Sequence, residues 1–275
     1  MASVVELNCY PIKGCAANQL SDAVVRPAGL PHDRTFMIVD ADGVFRSQRR
    51  DPRLALIEPE VDPDGGRLTL RGPDIDGLRI DVDRSGPRRE VRMFGAPYQA
   101  IDQGDEAADW LSTMLGTPSR LVRVPPEHAR VTDGLTPGTS GFADSAAVHL
   151  ASLASLRTLN ERITARGGDP VPINRFRANI VVDGSEEPDQ EDRARRISIG
   201  GVELGYSKLA IRCAVTLVDQ WAGRRAGLEP LRTLADYRRA GQGGVAFGIK
   251  LAVLRQGKCS IGDEAAVKSW ATSEL

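Results

Sequence analysis

The segment Phe36-Met37-Ile38-Val39-Asp40-Ala41-Asp42-Gly43-Val44-Phe45 decides the reading of the fold. Four apolar residues run into a polar turn and out into an apolar pair, and glycine at position 43 tolerates the positive φ of a tight hairpin. Runs of similar length surround it at 4–12, 23–25, 54–57, 68–70, 78–82 and 91–94. Short apolar runs punctuated by turn residues are the pattern of an antiparallel β unit.

Downstream the period changes. Asp102 precedes Ala107, Trp110, Leu111, Met114 and Leu115, apolar at helical spacing, with Asp102 as expected cap and Gly116 as stop. The stretch 125–141 carries Pro125, Pro126, Gly134, Pro137, Gly138 and Gly141, the composition of a linker or long functional loop. Ser152 is a ready N-cap for a helix written by Leu153, Leu156, Leu159 and Ile163 and ended by Gly167-Gly168. Strands are expected again at 180–182, at 197–199 and 202–204 around a Gly200-Gly201 hairpin, at 214–218, at 249–254 and at 258–261. A short helix is expected around Leu231, Leu234 and Tyr237. The chain therefore reads as mainly β with a few helices (α+β). An N-terminal β-barrel-like domain over 1–124 and a second domain over 125–275 are the expected division.

At 41% apolar residues, 27% charged residues and a formal net charge of −1, the composition is that of an ordinary globular protein and argues against nucleic acid as the main partner. The start lacks a basic region followed by an apolar stretch, and no apolar run approaches the roughly 18 residues of a membrane span. The expectation is a cytoplasmic protein without a membrane partner. Cys9, Cys15, Cys213 and Cys259 are too dispersed for a disulfide framework, a structural zinc site or an iron–sulfur cluster. His32, His128 and His149 have no metal-ligand spacing and read as surface or packed histidines. The charged stretch 186–196 reads as a solvated loop. Gly241-Gln242-Gly243-Gly244 lacks the Gly-Lys-Ser/Thr ending of a phosphate loop and reads as a surface loop.

Ile211-Arg212-Cys213 places a cation beside a thiol, which favours a nucleophilic or metal-binding thiolate. Alone, the same residues suit a buried inert cysteine better, because a free cysteine packs as a small hydrophobe. Other blocks change that balance. Tyr10-Pro11-Ile12-Lys13-Gly14-Cys15, Gly29-Leu30-Pro31-His32-Asp33-Arg34, Gln48-Arg49 with 52–57, Asp144-Ser145, Arg175-Phe176-Arg177-Ala178-Asn179-Ile180-Val181, Arg212-Cys213 with Val218-Asp219, Leu231-Arg232-Thr233-Leu234, Phe247-Gly248 and Ile261-Gly262-Asp263 follow one another in order. In that order they resemble the MOSC-domain proteins that carry an N-terminal MOSC β-barrel domain, and among them the amidoxime-reducing family. The resemblance covers nearly the whole chain.

The resemblance implies a MOSC β-barrel domain over 125–275 and a pyranopterin dithiolene molybdenum cofactor at the domain interface, with Cys213 as the only protein ligand to the metal. A soft thiolate suits such a sulfur-rich site. It further implies that Lys13, Arg34, Arg177 and Arg212 grip the cofactor phosphate, that Gly14 offers its backbone N–H, and that Asp144 and Ser145 hydrogen-bond the pterin. Asp219 is expected either to handle protons or to fix a turn, and Asn179 to be structural. Two departures stand out: Gly14 replaces the family's common serine, and Gln220-Trp221-Ala222-Gly223 replaces Pro-Asp-Thr-Gly. The implied activity is molybdenum-dependent reduction of N-hydroxylated substrates such as amidoximes and hydroxylamines. Electrons would come from a separate electron-transfer protein, a flavoprotein plus a ferredoxin-like or cytochrome carrier. The alternatives are a sulfur carrier that forms a persulfide on Cys213, and a non-catalytic cofactor-binding protein.

Overall fold

The computed structural model describes residues 2–185 and 187–275, and among them 22 strands outweigh three α-helices. Eight of those strands form one sheet, in the spatial order Ala265–Trp270, Ala194–Ile199, Val202–Arg212, Val245–Arg255, Val148–Ser152, Ile180–Asp183, Ser3–Cys9, Asn18–Leu20. Its two longest strands, Val202–Arg212 and Val245–Arg255, pair antiparallel with three register shifts. Such irregularities bend a strand pair and increase its twist. The curl brings the first strand round to the far edge: Ser3 bridges Glu264, Val4 N donates to Asp263 O at 2.9 Å and Ala265 N donates to Ala2 O at 2.9 Å. The barrel is thus closed by the opening residues of the chain. Val4, Leu7, Leu150, Ile180, Leu204, Tyr206, Ile249 and Leu251 share its buried core.

A second sheet orders Ile12–Lys13, Phe36–Val39, Arg120–Arg123, Ala96–Asp102 and Arg88–Met93, and a three-stranded meander of Glu58–Val61, Arg67–Gly72 and Ile75–Asp81 lies beside it. Helix α1 (Asp105–Leu115) buries Ala107, Trp110, Leu111 and Leu115 against Ile12, Phe36, Ile38, Leu54, Leu68 and Leu70. Helix α2 (Leu153–Ala165) is capped as expected, Ser152 Oγ accepting from Ala154 N at 3.1 Å. The short helix α3 (Leu231–Tyr237) buries Thr233 and Leu234.

Several expectations are corrected. The Asp42-Gly43 hairpin forms, with Gly43 at φ 75° and Val39 bridging Phe45, but its second arm is no longer than that bridge, and Phe36–Val39 takes its longer ladder from Arg120–Arg123. The cap of α1 is Gly104, because Asp102 ends a strand and spends its carboxylate on Gly104 N, Arg120 and Arg89. Residues 214–217 are a 3-10 turn rather than a strand, since Thr216 N bonds back to Cys213 O at 3.0 Å. Gly257–Ser260 pairs with Asp22–Val25 instead of its chain neighbour. The charged stretch 186–196, whose Glu186 lies outside the described residues, is not simply solvated. Glu191 and Asp192 are buried, and Arg238 reaches Asp192 at 2.7 Å. Among the described residues no helix is long and apolar enough to cross a membrane.

Candidate functional site

A cavity of about 380 Å³ spans the two sheets. Lys13, Gly14, Arg34, Asp144, Ser145, Arg177, Arg212 and Cys213 all line it, although they come from segments scattered across the chain. Cys213 stands where the Val202–Arg212 strand gives way to the 3-10 turn, and it is exposed while Cys9, Cys15 and Cys259 are buried. Burial pushes the Cys15 and Cys259 thiols up to about 12, and burial together with Asp33 raises that of Cys9. Of the four cysteines, only Cys213 offers an accessible thiol to a ligand.

Lys13 is a buried part of the cavity wall, ion-paired with Asp144 and within 4.9 and 5.1 Å of the Phe45 and Phe94 ring centroids. Burial lowers its basicity against the pull of Asp144. For Asp144, burial raises the carboxyl, but Lys13 and Lys250 outweigh it and hold the group well below the usual carboxylate range. It therefore presents an anion to the cavity.

Arg34 and Arg177 both adopt left-handed backbone, at φ 46° and 55°. That conformation is costly for a residue with a side chain and persists only where its surroundings enforce it. Here the enforcement is visible: the two guanidinium groups flank the Tyr10 ring at 4.2 and 4.3 Å. Arg34 donates to Asp33 at 2.5 Å and to Asn179 Oδ1 at 3.0 Å, and Asn179 in turn donates to Asn8 O, the structural role expected of it. Arg177 donates to Cys15 O at 2.6 Å and to Gln220 Oε1 at 3.0 Å, while burial pulls its basicity down to about 10. Gln220 and Gln48 exchange amide hydrogen bonds at 3.0 Å, and Gln48 also donates to Gly14 O at 2.7 Å. Gly14 itself sits at φ 87°, a conformation that serine, the residue it replaces, would adopt only with strain. Arg212 donates from Nη2 to Phe176 O at 2.8 Å, but its Nε is buried with no acceptor among the described residues.

Asp219 does not line the cavity. Its Oδ1 accepts from Ala222 N at 3.0 Å and Trp221 N at 2.9 Å, and those bonds lower its pKa. The carboxylate fixes the turn that delivers Gln220 to Arg177 and Gln48. Trp221 is 71% exposed and borders a neighbouring cleft with Glu6, Glu58 and Asn174 rather than the cavity that Cys213 lines.

The sequence reading gave no cavity role to several polar lining residues, among them His149, read as surface or packed, Lys208 and Lys250. His149 faces Lys250 across one strand pair and Lys208 faces Lys250 across the next. Burial, then Lys250 and Arg212, hold His149 neutral. Gly248, at φ 73°, makes room for it, since a Cβ there would lie 2.8 Å from His149 Nε2 and 2.4 Å from Leu150 O. Gln242, in the glycine-rich loop read as plain surface, also borders the cavity.

Residues 1–118 match the model of the MOSC N-terminal beta barrel domain and residues 137–266 that of the MOSC domain. The chain is 32% identical to mitochondrial amidoxime reducing component 2 of Bos taurus, over 96% of its own length and 82% of that protein. It belongs to the MOSC family. The rat protein of the same name is 31% identical over 96% of this chain and 82% of its own length. Molybdenum cofactor sulfurase of Danio rerio is 31% identical over 91% of this chain, which spans only 32% of that longer protein. Within this MOSC protein, the stretch matching the N-terminal model contributes Lys13, Gly14, Arg34, Gln48 and Arg49 to the cavity, and the MOSC domain contributes Asp144, Ser145, Arg177, Arg212, Cys213 and Lys250.

Proposed function

We propose that this MOSC protein binds a molybdenum cofactor in the cavity and reduces N-hydroxylated substrates, amidoximes and hydroxylamines, at their N–O bond. The observation that carries the reading is one accessible thiol facing a cavity with seven cations, Lys13, Arg34, Arg49, Arg177, Lys208, Arg212 and Lys250, and a single carboxylate, Asp144. The residues fit the group. A soft thiolate suits a sulfur-rich metal centre. The buried Arg212 Nε needs an acceptor that the described residues do not provide, and a phosphate oxygen would supply one. When bound, the cofactor supplies two-electron chemistry that no side chain here can perform.

The chain's own residues have separable tasks in this reading. Cys213 binds the metal, Arg212 and the other cations hold the phosphate, and Asp144 and Ser145 orient the pterin. The Arg177–Gln220–Gln48–Gly14 chain of hydrogen bonds keeps the cavity wall closed behind the ligand, and Asp219 acts through that wall. Cleavage of the N–O bond consumes two electrons and two protons and releases water. Among the described residues no three His, Cys, Asp or Glu side chains gather into a further metal-holding group. We assign the electrons to a separate protein, a flavoprotein with a ferredoxin-like or cytochrome carrier.

The exposure of Cys213 also favours a second reading, sulfur carriage, in keeping with the relatives named molybdenum cofactor sulfurase. Protein purified from a molybdenum-replete host separates the two. Near-stoichiometric metal and viologen-driven reduction of benzamidoxime are expected, both lost in Cys213→Ser and kept in Cys259→Ser. Metal-free protein with a persulfide on Cys213 would replace the reductase with the sulfur carrier, and loaded protein without turnover would leave only cofactor binding.

A further inference from the structure

The seven cavity cations differ in what already satisfies them. Lys13 has Asp144, Arg34 has Asp33, Lys208 has Asp133 at 2.7 Å, Arg177 has Gln220 and the Cys15 carbonyl, and Arg212 has the Phe176 carbonyl. Arg49 lies over the Phe94 ring at 5.6 Å. Lys250 has no hydrogen-bonding partner among the described residues. It stands in mid-strand between His149 and Lys208, on a wall shared with Arg212, and the sequence motifs do not mark it. The charged and titratable groups around it are Lys208 and Arg212 from the Val202–Arg212 strand, His149 from Val148–Ser152, Asp144 from the loop before that strand, and Lys13 and Arg34 from the N-terminal segment. Lysine opposite lysine across an antiparallel pair is repulsive, so the arrangement is incomplete without an anion.

We propose that Lys250 is a proton-coupled anion ligand of this cavity, taking up a proton as a tetrahedral oxyanion of the phosphate class enters and releasing it when the anion leaves. The proposal rests on the reading that the cavity holds a phosphate-bearing cofactor, and adds the residue and the proton that this binding requires. Burial and then Arg212 press the ammonium down to about 7, with Arg34 and Lys13 adding to them and Asp144 alone among the named charges opposing. An oxyanion among the same groups reverses the balance, as opposite charges at contact shift a pKa by ~1–3 units. Above neutrality the anion then binds with uptake of close to one proton. Its affinity falls by up to about tenfold for each unit of rising pH until the bound-state value is reached.

The chain has only five lysines, Lys13, Lys208, Lys250, Lys258 and Lys268. Reductive methylation with ¹³C labels these and the α-amino group, a set small enough to resolve by NMR, and loss of a resonance in Lys250→Arg assigns the one that matters. Sulfate is the probe, because its charge is constant across the neutral range. In the full chain without cofactor, Lys250 is expected to titrate near neutrality, and saturating sulfate to raise its midpoint by about one pH unit or more while Lys258 and Lys268 stay put. An ordinary lysine midpoint without sulfate, or a sulfate response confined to Lys13 or Lys208, overturns the proposal. If Lys250→Arg does not fold, Lys13→Arg and Lys208→Arg give the assignment by elimination. Metal analysis of unlabelled protein reports separately on the cofactor: where native protein carries the metal but Lys250 of the cofactor-free chain ignores sulfate, the proposal alone falls, whereas metal-free native protein whose Lys250 responds keeps the oxyanion site and removes the cofactor as its source.

Discussion

Arg212 and Arg193 carry the same guanidinium in opposite surroundings. Arg193 pairs with Glu187 at 2.7 Å where both side chains are about half exposed, so its charge is already screened by water. Arg212 keeps a buried Nε without an acceptor on the wall beside Cys213. A charge-assisted hydrogen bond completed there by a cofactor phosphate contributes ~1.5–3 kcal/mol, roughly tenfold or more in affinity. Arg212→Ala should accordingly lower cofactor occupancy by that factor, read as molybdenum and released pterin, while Arg193→Ala stays near wild type. Equal occupancy in the two variants would remove Arg212 from the site. At this scale the sequence shows Cys213, Arg212, Arg177, Arg34 and Lys13 because they sit in contiguous motifs. His149, Lys208 and Lys250 were invisible for a physical reason: they meet only through cross-strand register, which strand sequences do not specify locally.

Elements governed by short-range chemistry were the legible ones. Ser152 at the start of α2, Gly116 at the end of α1 and Gly200 between paired strands each satisfy a local backbone requirement that a few neighbouring residues announce. The acidic 3-10 turn Gln190–Arg193 shows the reverse case, since charge density suggested solvent and tertiary packing buried it. Ser155 Oγ donates to Glu191 at 2.8 and 3.0 Å, and burial and then Asp192 push the Glu191 carboxyl up to about 7. A carboxyl raised on folding favours the folded state fully below its unfolded pKa, and loses that contribution as pH rises through about 7. Glu191→Gln mimics the protonated form at all pH values. It should therefore melt a few degrees above wild type at about pH 8, with the gap closing at about pH 5. A gap independent of pH, or wild type more stable at the alkaline end, would show that Glu191 is not held protonated by this packing.

At the scale of the whole molecule, a boundary near residue 124 in the sequence and the division of hydrogen bonds in space are different things. The composition of 125–141 marks a break, but Ser3–Cys9 crosses it to pair with Ile180–Asp183, Asn18–Leu20 extends that edge, and Asp22–Val25 pairs with Gly257–Ser260. No local turn signal could announce this, because it depends on which distant edge the first strand joins. The consequence is testable by dissection. A fragment of 125–275 retains the stretch matching the MOSC domain but exposes the backbone of Ile180–Asp183 along an open edge. It also strips Val4, Leu7, Ala23, Val25 and Leu30 from the barrel core. Losing one such side chain typically costs ~2–5 kcal/mol for leucine to alanine, against a total stability of roughly 5–15 kcal/mol. Losing five together with a paired edge leaves nothing to hold the barrel closed, and an unpaired apolar edge recruits other chains. The fragment is expected to unfold without a cooperative transition and to aggregate. Joining residues 1–31 to it through a flexible linker should restore a cooperative melt and slow amide exchange at residues 180–183. A cooperative transition of 125–275 alone, at the melting temperature of the full chain, would show that the second domain closes without the first strand.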